Sequence, residues 1–123
     1  MIPPFEHTWV AKISKSGKIT GFHQDRMGFY RNLGLLKDVE MHGEGFYKAK
    51  VFIGGEWIER SFFPEQWITE DLMNCYYEVI NDKNIVKCNA LRTTFEFERR
   101  SEILITAVIE NDGYGVTFFP NLL

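Results

Sequence analysis

The sequence is poor in cysteine and histidine: two Cys, at 75 and 88, and three His in 123 residues. Cys75 and Cys88 are not at metal-ligand spacing, and two Cys in a chain of this length do not make a disulfide framework. The expected reading is two half-buried free thiols. Positive charge is also in short supply. Against 17 Asp and Glu stand 14 Lys and Arg, a formal net charge of −3 with a pI near 5.6. That excludes a broad phosphate-gripping surface, so any nucleic acid must be held locally. No apolar run approaches the roughly 20 residues needed to span a bilayer. The opening Met-Ile-Pro-Pro-Phe-Glu lacks the basic start and apolar centre of a secretory signal. Repeats, linkers and low-complexity stretches are absent too.

What the chain has is core-forming material. Hydrophobic residues make up 45% and aromatics 15%, with eleven Phe, a composition that folds rather than staying disordered. The length fits one domain, residues 1–123, able to bury roughly two thirds of its unfolded surface. Residues 8–13 and 18–22 read as short strands joined by the turn Ser14-Lys15-Ser16-Gly17. Residues 24–34 read as a loop with a helical turn, and 37–42 as a short edge strand. Residues 46–53 alternate, with Tyr47, Ala49, Val51 and Ile53 on one face and Lys48, Lys50 and Phe52 on the other. Gly54-Gly55 turns the chain into a strand at 57–63, which Pro64 closes.

One helix follows. Thr69 is the expected N-cap, Glu70 and Asp71 suit the positive end of the dipole, and Leu72, Tyr76, Val79 and Ile80 fall on one face up to about Asp82. After a polar link, 93–98 alternates Phe95 and Phe97 against Glu96 and Glu98, and Arg99-Arg100-Ser101 is its expected turn. Residues 103–109 are apolar on both faces, as in the middle of a sheet, and Asn111-Asp112-Gly113 signals a hairpin into 115–119. The fold class is α+β: a mostly antiparallel sheet packed on one main helix.

The hairpin pattern places His7 and His23 near one another at its open end. Cleaving RNA needs a base for the 2′-OH proton and an acid for the leaving 5′ oxygen, and histidine titrates where it can do either. His42, in the glycine-flanked turn Met41-His42-Gly43-Glu44-Gly45, reads as surface. The three histidines are too far apart, and too poorly matched with Cys or acid partners, for a zinc or two-metal site. Glu56, Glu59, Glu96 and Glu98 fall on faces expected to see solvent. Phe62, Phe63 and Trp67, like Tyr47, Ala49 and Val51, read as core.

Several segments in order carry a resemblance. They are His7, Gly21-Phe22-His23, the strand Phe46-Tyr47-Lys48-Ala49-Lys50-Val51, Phe62-Phe63-Pro64-Glu65-Gln66-Trp67 before the helix, and Thr117-Phe118-Phe119-Pro120 near the end. Together they resemble the bacterial EndoU nucleases over nearly the whole chain. The resemblance implies an endoribonuclease that leaves a 2′,3′-cyclic phosphate, with His23 as general base and His7 as general acid. It needs no cofactor and is metal-optional, with manganese able to stimulate it. A basic residue would stabilise the charge that builds on the phosphorane: Arg31 and Arg26 are the first candidates, Lys48 and Lys50 the next. Thr117 matches a hydroxyl that binds substrate base or phosphate. Phe119 stands where the family usually has a tyrosine, and keeps a ring that can stack on ribose or base. The implied partners are RNA, transfer RNA among the candidates, and a cognate immunity protein. The implied setting is the C-terminal part of a larger secreted or delivered toxin, deployed in contact-dependent competition and acting in the target-cell cytoplasm. The acidic pI supports a different class as the alternative, a non-catalytic binding or inhibitor module whose acidic face covers a basic partner.

Overall fold

The computed structural model describes residues 5–123; the first four residues of the expected 1–123 unit lie outside the described residues. Along the chain come helix α1 (Phe5–Trp9), strands β1 (Ala11–Ile13) and β2 (Ile19–Gly21), helix α2 (Phe29–Asn32), strands β3 (Leu36–Met41), β4 (Tyr47–Ile53) and β5 (Glu56–Phe62), helix α3 (Thr69–Val79), and strands β6 (Ile85–Cys88), β7 (Arg92–Arg100), β8 (Ile103–Glu110) and β9 (Gly115–Leu122). Among the described residues every strand pairing is antiparallel, in three sheets ordered β1-β2, β3-β4-β5 and β6-β7-β8-β9. The chain is thus α+β, with α3 the main helix. No helix among the described residues is long and apolar enough to cross a membrane.

Two cores follow from the sequence pattern. Leu72, Cys75, Tyr76 and Val79 recur at helical spacing on α3 and are buried against Ile103, Ile105 and Ala107 of β8. Strand β8 lies between β7 and β9 and is apolar except at Thr106 and its last residue, Glu110, with buried residues on both faces. The second core lies on the three-stranded sheet, where Tyr47, Ala49, Val51 and Phe62 pack with Phe22. An aromatic cluster extends the first core: Phe118 lies 4.7 Å from Phe63, and Phe5 lies 6.4 Å from both Tyr76 and Phe118, centroid to centroid. Burying one such ring contributes about 1.5–3 kcal/mol. A five-residue helix has no stability of its own, so α1 is held by docking Phe5 and Trp9 onto this cluster.

Five expectations are corrected. The first segment begins as a helix rather than a strand: Val10 N–H donates to the Glu6 carbonyl at 2.8 Å, and pairing starts only at Ala11. The N-cap of α3 is Ile68, whose N–H donates to the Asp71 carboxylate at 2.9 Å, with Thr69 one position inside. That helix ends at Val79, short of Asp82, because Ile80 leaves helical geometry and the Asn81 side chain accepts from Lys83 N–H to start a separate 3-10 turn. Part of the polar link is strand β6, an edge strand exposed at every position and therefore without a buried face to betray it. The thiols also differ from expectation: Cys75 is buried and Cys88 exposed, both free.

Candidate active site

Gly21 makes the site. Its φ of +82° is left-handed, and a Cβ there would run into the Val10 carbonyl and come within 2.8 Å of the His7 carbonyl. Only glycine lets β2 approach the end of α1 so closely. The backbone then docks by three bonds: Phe22 N–H to His7 carbonyl at 2.9 Å, and His23 and Gln24 N–H to Thr8 carbonyl at 2.5 and 3.0 Å. The two imidazoles end stacked, with centroids 5.2 Å apart and planes 29° apart. His23 is also stacked on Phe119 of β9 at 5.3 Å.

His23 is 8% exposed, and its Nδ1 lies 2.8 Å from the Ser61 carbonyl. A carbonyl only accepts, so Nδ1 carries the hydrogen and Nε2 keeps its lone pair. Burial pushes the His23 pKa down to about 3, helped by the nearby charges of His7 and Arg60 and opposed by the Ser61 bond. His7 is half-buried, and burial, then Arg60, then Lys12 lower its pKa from the usual value. Both rings are therefore biased toward the neutral form, His23 the more strongly.

Arg60 of β5 reaches across to the hairpin. Its Nε donates to the Gly21 carbonyl at 3.0 Å and its Nη2 to the Ile19 carbonyl. Burial lowers its pKa, but a guanidinium stays charged at any working pH. His7, His23, Arg60, Thr117 and Phe119, together with residues 19–21, line an open cavity of about 240 Å³. The Thr117 hydroxyl is buried in its wall and, among the described residues, has no hydrogen-bond partner. The arrangement offers a proton acceptor, a second imidazole and a fixed cation around one space.

The sequence-derived site residues thus divide. His7, His23, Thr117 and Phe119 come together in this cavity. Arg31 does not: it is in a forked ion pair with Glu65, at 3.1 and 2.6 Å. The Arg26 guanidinium lies over the Trp9 ring, 5.0 Å from its centroid. Lys48 is half-buried on β4 across from Glu40 and Ser61, and Lys50 is 3.6 Å from Asp38. Among the described residues none of these four lines the histidine cavity. Arg60 is not among the residues expected from sequence, although the sequence carries a signal for it. Ile58, Arg60 and Phe62 face the same way as Val51, Ala49 and Tyr47, which makes Arg60 a charge in an apolar row.

His42 is a correction. Its side chain is only 11% exposed, with Nε2 3.5 Å from the Glu40 carboxylate, too long for a hydrogen bond. Glu56, Glu59, Glu96 and Glu98 are exposed, as expected. Among the described residues no three His, Cys, Asp or Glu side chains are gathered as a metal-ligand group.

No curated protein and no solved structure matches the chain. The family model for the bacterial EndoU nucleases matches residues 4–122, essentially the whole chain. A match of that extent covers every residue of the cavity, and so the chain belongs to the bacterial EndoU nuclease family.

Proposed function

We propose that the chain is an endoribonuclease that cleaves RNA by transesterification, with His23 as base, His7 as acid and Arg60 as the cation. His23 Nε2 takes the proton from the ribose 2′-OH. The 2′ oxygen forms a bond to phosphorus, the bond from phosphorus to the 5′ oxygen breaks, and His7 gives that oxygen a proton. The products are a 2′,3′-cyclic phosphate and a 5′-hydroxyl. The observation that carries this reading is the juxtaposition of two imidazoles and a guanidinium around one cavity. The division of roles rests on burial. His23 is neutral at neutral pH and has its lone pair on Nε2, as a base requires. His7, less buried, is the ring more easily protonated, as an acid requires. Stacked imidazoles repel each other when both are charged, which favours the singly protonated pair the reaction uses.

Arg60 stabilises the charge on the phosphorane, a contribution that is often large. This reading replaces Arg31, Arg26, Lys48 and Lys50 in that role. Thr117 and Phe119 face the substrate from β9. No cofactor is required, and manganese acts at most as a stimulant. Family membership supports a wider setting as well: the toxic C-terminal part of a larger delivered protein, acting on RNA in a target-cell cytoplasm and held in check by an immunity protein.

The test is incubation of purified protein with total RNA, with and without chelator, followed by analysis of product ends. Cyclic phosphate ends, chelator resistance and sparing of a 2′-deoxy cut site are expected. 5′-phosphate products would overturn the mechanism, and activity lost in chelator and restored by manganese would overturn the metal-optional reading.

A further inference from the structure

Strands β5 and β9 are edges of different sheets, and His23 sits where they meet. The His23 carbonyl accepts from Phe63 N–H at 2.8 Å, while its Nδ1–H donates to the Ser61 carbonyl, also at 2.8 Å. The free edge of β5 is thus engaged by His23 through both backbone and ring. Phe119, on β9, supplies the ring stacked on His23. The next residue, Pro120, has no N–H, so β9 cannot donate a backbone ladder bond to β5 there. One side chain bridges the gap: the Ser61 hydroxyl donates to the Pro120 carbonyl. Resting on the reading of His23 as base, we infer that Ser61 is a positioning residue for the reaction. Its hydroxyl ties β5 to β9 so that its own carbonyl meets His23 Nδ1 while Phe119 lies against the same ring.

Proline and serine act together in this arrangement. A residue with an N–H at position 120 would allow β9 to compete for the Ser61 carbonyl. With proline there, that carbonyl is left to the imidazole, and the hydroxyl supplies the inter-sheet bond instead. Ser61 therefore fixes which nitrogen of His23 carries the hydrogen and how dry the ring is. A bond that only joined two sheets would do neither.

The experiment compares wild type with Ser61→Ala, Ser61→Thr and His23→Ala, measuring kcat, KM, the pH profile and the 15N NMR titration of the His23 ring. Ser61→Ala is expected to lower kcat by about tenfold to a hundredfold, the scale of a small misplacement of a reacting group, with KM little changed. Its His23 ring is expected to lose its preference for the Nδ1–H form and to titrate at a pH shifted from that of wild type, because weakening the Ser61 bond lowers the pKa while wetting the ring raises it. Ser61→Thr, which keeps the hydroxyl, restores all three. A Ser61→Ala protein with an unchanged His23 titration and unchanged acid limb overturns the inference, whatever its kcat or melting temperature. Should the alanine variant not fold, Ser61→Cys repeats the comparison with a weak donor of similar size. His23→Ala separates the two readings: if it stays fully active, the assignment of the base fails, and if it is inactive while Ser61→Ala matches wild type, only the positioning role fails.

Discussion

His23 and Phe119 lie ring against ring, with centroids 5.3 Å and planes 29° apart. The aromatic that the family resemblance assigns to substrate therefore has a partner inside the protein. A ring stacked on an imidazole keeps water from it, and burial is the first cause of the low His23 pKa. Phe119→Ala should then lower kcat and raise the pH of the acid limb, with a smaller effect on KM, whereas Phe119→Tyr should keep both. Steady-state kinetics across pH on matched oligonucleotides measure this. A large rise in KM with unchanged kcat would return the ring to the substrate, where stacking is worth about 1–3 kcal/mol per base.

His7→Ala and His23→Ala should each reduce turnover by roughly a hundredfold or more, the usual scale for a positioned acid or base. The kcat/KM profile of wild type should be a bell reporting the pair in the free enzyme. Its rising limb belongs to His23, near pH 3, and its falling limb to His7, below the ordinary histidine value of 6.5. The optimum thus lies on the acid side of neutrality. Each variant should lose one limb, and a histidine whose loss leaves the rate unchanged has no part in the chemistry.

The β4 alternation of Tyr47, Ala49 and Val51 was legible because one face is buried and the other is not. The same logic hid β6, where Ile85 to Cys88 are exposed on both faces and no period develops. Helix α1 was illegible for another reason: its five residues fold on Phe118 and Tyr76, which are distant in sequence. For the site, His7 and His23 were legible because a short hairpin is a local device. The proposed cation, Arg60, was not, because it arrives from β5, whereas Arg26 and Arg31 stand near His23 in sequence. Both found local partners instead, Trp9 and Glu65.

That difference is itself testable. Arg60→Ala should cost about 10²–10³ in kcat, the scale for losing one preorganised stabiliser of a developing charge. Arg60→Lys should recover only part, since an ammonium keeps the charge but cannot span the Gly21 and Ile19 carbonyls as a fork does. Arg31→Ala, Arg26→Ala and Lys48→Ala should stay near wild type. Single-turnover rates on one oligonucleotide decide it. A normal rate for Arg60→Ala beside a severe loss for Arg31→Ala would reverse the assignment.

Acid should weaken the fold through His23. Its native pKa of about 3 lies below the unfolded value of about 6.5. Between those pH values the unfolded chain binds a proton that the native chain does not, so stability rises with pH there and is lost as pH falls. Above pH 6.5 both states are neutral at this position and His23 gives no slope. Urea midpoints should drop steadily from pH 6.5 toward 3, with His7 acting in the same direction. His23→Gln, which cannot titrate, should flatten part of that fall; an identical slope in the variant would show that the ring is not held neutral.

Gly21→Ala tests how the two histidines are brought together. The position is left-handed, and an added methyl meets the carbonyl oxygens of Val10 and His7. Both obstacles are backbone, so no side-chain rotation relieves them. Left-handed strain for a residue with a Cβ costs of order 1–3 kcal/mol, and the clash adds to it by pushing β2 off α1. The Phe22 to His7 and His23 to Thr8 bonds would lengthen together, since both run between these segments. Arg60 would lose its grip on the Gly21 carbonyl in the same movement. The expected result is a lower melting temperature together with a loss of kcat larger than that of either imidazole alone, because base, acid and cation all shift. A control at Gly17, also at positive φ but with open space around its Cβ site, should show the strain without the loss of activity. If Gly21→Ala and Gly17→Ala behave alike, the close approach of β2 to α1 does not set the site.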